Sequence, residues 1–170
     1  MYALLPWYYV NRIGASYPRV KMFFEALRHN NLDLPIGAAG FCWGGKHVVL
    51  LAGDKVRVDG KPLFDAGFTG HPSLLAIPSD IEKMELPVAF AIGDEDAHIP
   101  IDQVRAIQQI VESKRDAQKG EVKIYPKCGH GFCIRADTRF LDVVAQAAAA
   151  EDYCIEWFDK TFARIASNNL

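Results

Sequence analysis

The sequence predicts an α/β fold built on a mostly parallel sheet with helices on both faces. Three observations carry this. Short strand-like segments alternate with longer stretches of helical periodicity. The strand-like segment Leu34 to Phe41 is apolar and rich in small residues, as strands buried on both faces are. The residues best suited to chemistry follow directly on those strands, at the C-terminal ends where open parallel sheets keep their ligand sites.

Taken in order, Met1 to Val10 is apolar, rich in aromatics and broken by Pro6, and reads as structure that needs something to pack on. Pro18 to Asn30 is helical, with Val20, Phe23, Phe24 and Leu27 spaced for one face and Asn30-Asn31 as its end. Leu34 to Phe41 is a buried parallel strand, followed by a helix from Trp43 to Ala52. Asp65 to Gly70 is a second strand. Pro87 to Gly93 is the clearest of all. Pro100 to Arg115 is a helix with Val104, Ile107, Ile110 and Val111 on one side and Pro100 near its first turn. Glu121 to Pro126 is the fourth strand, and Thr138 to Arg164 a closing helix, or two end to end.

The length of 170 residues suits one domain spanning residues 1–170. A net charge of −2 without any Lys/Arg run gives no reason to expect nucleic acid or an anionic membrane as partner. The apolar start lacks a basic region before it and is too short to span a bilayer, so no signal peptide is expected. Cys42, Cys128, Cys133 and Cys154 are then expected as free thiols, and the cytoplasm as the location.

Gly40-Phe41-Cys42-Trp43-Gly44-Gly45 falls between a strand and a helix and fits a Gly-x-nucleophile-x-Gly turn. On such a sharp turn the side chains two residues either side of the nucleophile collide, and Gly40 and Gly44 are expected to remove them. The helix then aims its N-terminus at Cys42, favouring a thiolate there. The Trp43 N–H is placed to donate to a developing oxyanion. The plainer reading is a small buried cysteine in a glycine-rich turn.

A proton acceptor and an acid follow in the order such a site uses. His130, between Gly129 and Gly131, follows the last strand, and Asp96 follows the strongest one in Gly93-Asp94-Glu95-Asp96. Asp94 and Glu95 remain rivals for the acid, and acidic loop residues are often only turn chemistry. His71, after the second strand, and His98, two residues past Asp96, are candidates to line a pocket. His29 reads as a solvated helix-end residue and His47 as a helix residue facing solvent or packing. Cys128, His130 and Cys133, or Asp94, Glu95, Asp96 and His98, lack the paired spacing of a structural zinc site, so no metal is expected. No Cys-x-x-Cys motif supports a redox role.

Gly-Phe-Cys-Trp-Gly-Gly at 40–45, Gly-Asp-Glu-Asp at 93–96 with Ile99-Pro100 after it, and Cys-Gly-His-Gly-Phe at 128–132 together resemble the dienelactone hydrolase family. The stretch from Phe64 to Leu75, with Thr69-Gly70-His71-Pro72-Ser73, resembles its fungal branch. The resemblance runs from Leu34 to the end of the last helix. It implies a partial α/β-hydrolase fold, a Cys42-Asp96-His130 triad and hydrolysis of small esters or lactones; no cofactor is expected. It places the acid on Asp96 rather than Asp94. It makes Arg135 the candidate for a substrate carboxylate, one residue later than in the family's bacterial pattern. The family's upstream strands carry a glutamate that pairs with the resting cysteine, an arginine for the substrate and a second oxyanion donor. Nothing in Met1 to Arg19 matches them, so an N-terminally truncated hydrolase is expected. The alternative is a fold remnant that binds a small molecule or a partner, and a homodimer could cover its free sheet edge.

Overall fold

The computed structural model describes residues 4–168, so Met1, Tyr2 and Ala3 of the apolar start lie outside the described residues. Its centre is set by β5 (Val88–Gly93), whose six residues are all buried. Side chains alternate across a strand. Val88, Phe90 and Ile92 therefore enter one apolar cluster, and Ala89 and Ala91 the other. The alanine side leaves room for the large Tyr153 and Trp157 of the closing helix.

Four strands form the main sheet in the order β1 (Gly37–Phe41), β4 (Ala66–Gly70), β5, β6 (Glu121–Tyr125), and every pair is parallel. Residues of α2 (Ile13–His29), α3 (Trp43–Ala52) and α5 (Ile101–Ser113) pack into the cluster on one face. The closing helix α7 (Leu141–Asn168) packs into the cluster on the other. In α5 the fully buried Val104, Ile107 and Val111 fall at the helical spacing the sequence shows. Each such side chain contributes about 1.5–3 kcal/mol by leaving water. Arg28 at the end of α2 is 1% exposed and ties the bases of the strands together. It donates to the carbonyls of Pro62 and Leu34 and pairs with Asp65, which also accepts the Ile36 N–H.

Several elements differ from the sequence expectation. α2 begins at Ile13 and carries Pro18 inside it. The carbonyl that Pro18 cannot bond belongs to Gly14, and both residues lie on the exposed face, where water can serve that carbonyl. Leu4–Val10 forms a short helix of its own, α1. α5 begins at Ile101, with Pro100 at the position just before it, beside the first turn as expected. α7 is one continuous helix of 28 residues, starting after a loop in which Asp137 accepts the Arg139 N–H. A two-stranded hairpin, β2 (Arg57–Val58) with β3 (Lys61–Pro62), turns at Asp59-Gly60 with φ of 50° and 77°. That Asp-Gly pair is a sequence signal for a tight hairpin that the periodicity reading passed over. α4 (Ser79–Glu82) and α6 (Phe132–Arg135) have four residues each, too few to show a period. No helix among the described residues is long and apolar enough to cross a membrane.

Candidate active site

Cys42 joins β1 to α3 with φ 51° and ψ −119°, a backbone conformation that costs an L-residue about 1–3 kcal/mol. Hydrogen bonds hold it there. Its N–H donates to the Gly70 carbonyl (3.2 Å), and its carbonyl accepts from Gly45 and Ser73 N–H (both 3.1 Å). Any side chain at Gly40 would strike the Gly44 carbonyl and Val48. The second glycine the turn needs is Gly45, not Gly44. A Cβ on Gly44 meets nothing within 4 Å, whereas one on Gly45 would collide with Thr69 and lie 2.8 Å from Pro72. The reason is the helix: position 44 points away from the sheet, and position 45 is pressed against the end of β4.

The residue after Cys42 is fixed from three sides. The Trp43 indole donates to the Asn11 carbonyl (3.1 Å) and meets the tilted rings of His47 at 4.2 Å between centroids and of Trp7 at 6.0 Å. His47 is buried, which excludes the solvent-facing option. One ring nitrogen lies 2.9 Å from Ser16 Oγ and the other 3.2 Å from the Trp43 carbonyl. Its burial pulls its pKa below the ordinary histidine value. The N-terminal segment thus packs on the first turn of α3, where the Trp43 N–H has no acceptor among the described residues.

His130 lies between the other two groups. Its Nε2 is 3.2 Å from Cys42 Sγ, and its Nδ1 is 3.0 and 3.1 Å from the two Asp96 oxygens. The Asp96 side chain is 0% exposed and its Oδ1 also accepts the His98 N–H (2.8 Å). Asp94 and Glu95 are exposed and have no such contact. An ionised Asp96 needs a donor, so Nδ1 carries the proton and Nε2 faces the sulfur as an acceptor. This arrangement can take a proton from the Cys42 thiol and balance the resulting imidazolium against a carboxylate.

Of the expected lining residues, His98 is exposed and stacks on His130 at 4.1 Å between centroids. Arg135, on α6, is exposed and lays its guanidinium over Gly131, next to His130. His71 is not on the open side. It is 0% exposed, meets His130 edge to face at 5.1 Å, and has no partner for either ring nitrogen among the described residues. Burial lowers its pKa to about 4, helped by the nearby His130, so it is neutral near pH 7. Burial likewise raises the thiols of Cys133 to about 12 and of Cys128 and Cys154 to about 11. The residue that sequence reasoning missed is Ser73. It is 4% exposed, with Oγ 3.7 Å from Cys42 Sγ. It was visible in Gly70-His71-Pro72-Ser73, but a serine in a proline turn carries no signal until the turn's direction is known.

The chain matches the sequence profile of the Dienelactone hydrolase family over residues 11–162. It is similar to "Hydrolase tropI" of Talaromyces stipitatus, 27% identical over 143 residues, covering 84% of this chain and 52% of that protein. It is also similar to "Dienlactone hydrolase 1" of Gibberella moniliformis, 28% identical over 137 residues, covering 79% and 48%. The chain therefore spans about half the length of the curated relatives it matches. Among solved structures, a dienelactone hydrolase-like promiscuous phosphotriesterase, P91, from metagenomic libraries superposes with a TM-score of 0.63 at 20% identity, covering 94% of this chain and 66% of that one. The dienelactone hydrolase of Anabaena variabilis gives 0.59 at 18%, covering 89% and 62%. At those identities the structures bear on the fold, which is that of the α/β hydrolases. The extent of the profile match decides the rest: the chain belongs to the dienelactone hydrolase family.

Proposed function

We propose that the chain hydrolyses small carboxylic esters or lactones with Cys42 as nucleophile, His130 as general base and Asp96 as the acid that orients it. The observation that carries this reading is one imidazole with its two nitrogens against a thiol and a buried carboxylate. In the proposed sequence His130 takes the thiol proton and Cys42 sulfur attacks the ester carbonyl. The Trp43 N–H receives the oxyanion. The imidazolium returns its proton to the departing alkoxide, which leaves an acyl thioester on Cys42. A water, deprotonated by His130, then hydrolyses that thioester and restores the thiol. Arg135 and His98, on the open side of His130, are the proposed contacts for substrate, with Arg135 suited to a carboxylate. His71 joins such contacts only if the turn that buries it opens. Four free thiols fit a reducing compartment such as the cytoplasm.

The test is steady-state turnover of a panel of small aryl esters, lactones and thioesters by the purified chain and by Cys42→Ala. Hydrolysis lost in the variant supports the reading, and equal rates in both end it. The second reading, a binding protein without turnover, is favoured by one observation: among the described residues β1 pairs on one side only. We propose that a second copy of this chain covers that edge.

A further inference from the structure

The sulfur of Cys42 has a second polar neighbour besides His130. Ser73 Oγ lies 3.7 Å away, within reach of a hydrogen bond to sulfur, and makes no other hydrogen bond among the described residues. The residue is not a bystander of the turn. Its N–H donates to the Cys42 carbonyl at 3.1 Å, so one serine is clamped to the nucleophile residue through main chain and side chain at once. The backbone bends sharply to put it there. His71 and Leu74, on either side of Pro72-Ser73, have φ of 37° and 61°, left-handed values that non-glycine residues adopt at a cost. At 4% exposure the hydroxyl is shielded from competing water. A hydroxyl with a free hydrogen gains little from a neutral thiol but much more from a thiolate, because bonds to charged groups are about twice as strong as neutral ones.

We propose that Ser73 is a catalytic residue of this site: its hydroxyl donates a hydrogen bond to the Cys42 sulfur and favours the thiolate over the thiol. His130 holds the proton that leaves, and Ser73 steadies the charge that stays. The proposal rests on the reading of Cys42 and His130 given above, and its test separates the two.

The experiment follows alkylation of the full chain by iodoacetamide, read on the Cys42 peptide by mass spectrometry across a pH series. The parent, Ser73→Ala, Ser73→Thr and His130→Ala are compared, with circular dichroism and a melting curve for each. Removing one oxygen atom leaves the Ser73 N–H bond in place. In Ser73→Ala the pH of half-maximal alkylation is expected to rise by about one unit, with a roughly tenfold slower reaction near neutrality. The plateau rate at high pH is expected to change less than about threefold, since access to the sulfur is the same. Ser73→Thr keeps the hydroxyl and is expected to titrate with the parent. A Ser73→Ala curve that overlays the parent while His130→Ala is displaced overturns the role of Ser73 and leaves the triad standing. Overlay of all four curves overturns both. A lowered plateau with no change of midpoint also overturns the proposal, because it marks Ser73 as packing alone.

Discussion

β1 and β6 bound the same parallel sheet and each has five residues, yet their compositions differ completely. β6 reads Glu-Val-Lys-Ile-Tyr. Glu121 pairs with Lys160 of α7 at 2.7 Å, and the Lys123 ammonium lies 3.9 Å over the Tyr153 ring. An exposed pair of this kind adds little stability, but charges on an edge strand discourage further pairing. β1 reads Gly-Ala-Ala-Gly-Phe, with no charge and no proline, although Gly37 and Ala39 are exposed. β6 has the composition of an outer strand and β1 that of an inner one. The candidate site bridges them: Cys42 ends β1, His130 follows β6, and Asp96 follows β5 between them. His130 and Asp96 thus stand at the protected side of the sheet, and Cys42 at the unprotected side.

The largest expected effect tests whether those two sides act as one unit. On the best substrate of the ester panel, Cys42→Ala is expected to abolish turnover. His130→Ala is expected to lower kcat/KM by roughly three orders of magnitude or more, because the thiol loses its base. Asp96→Asn is expected to cost less than His130→Ala, since the imidazole remains and only its tautomer and charge balance suffer. Steady-state kinetics on the three variants give the order. An Asp96→Asn loss equal to that of His130→Ala would show that the protected side contributes more than orientation.

A smaller effect is expected at the edge itself. Ala39 is exposed on β1, so a lysine there need not disturb the core. If a second copy pairs along β1, sedimentation of the parent shows self-association at micromolar concentration. Ala39→Lys then shifts it to monomer, while Lys123→Ala on β6 leaves the parent's behaviour nearly unchanged. Identical profiles for parent and Ala39→Lys would mean that β1 is not the pairing surface, whatever its composition suggests.

The sheet was legible because short strand-like runs alternate with helices, and β4 and β5, buried on both faces, carry almost nothing but apolar and small residues. Long-range geometry was legible only where a motif carried it. Gly40-Phe41-Cys42 announces a strand-to-helix turn, and His130 and Asp96 were placed by their strand ends. What stayed hidden depends on which way a side chain points after the chain turns. The need for glycine at 45 rather than 44 follows from where Thr69 and Pro72 lie, and neither is near in sequence. His71 follows β4 at the C-terminal edge of the sheet, which makes it a candidate to line a pocket. The left-handed bend at that residue instead turns it inward against His130 and Phe132.

His71 gives the smallest effect and the one that probes the interior between the two edges. Folded, its pKa is about 4, against 6.5 for an unperturbed histidine. The unfolded chain therefore binds a proton at this residue as pH falls below 6.5, while the folded chain resists until about 4. Stability at this position is fully present above pH 6.5, is lost as pH falls through the window down to 4, and changes no further below it. A shift of that size corresponds to about 3 kcal/mol. His71→Phe keeps a ring of similar bulk against Phe41, Phe132 and His130 and removes two buried nitrogens that have no partner. The variant is expected to be as stable as the parent at neutral pH or more so. Its stability should fall less steeply on acidification, by up to about 3 kcal/mol across the window. His47 is also buried and lowered, but it is present in both proteins and cancels in the difference. Urea unfolding of both proteins at several pH values through the window measures the two slopes. Equal slopes would mean that His71 gains a proton in the folded state as easily as in the unfolded one. That would require one of its bare nitrogens to reach water or a carboxylate, and the turn at 71–74 would then have to open.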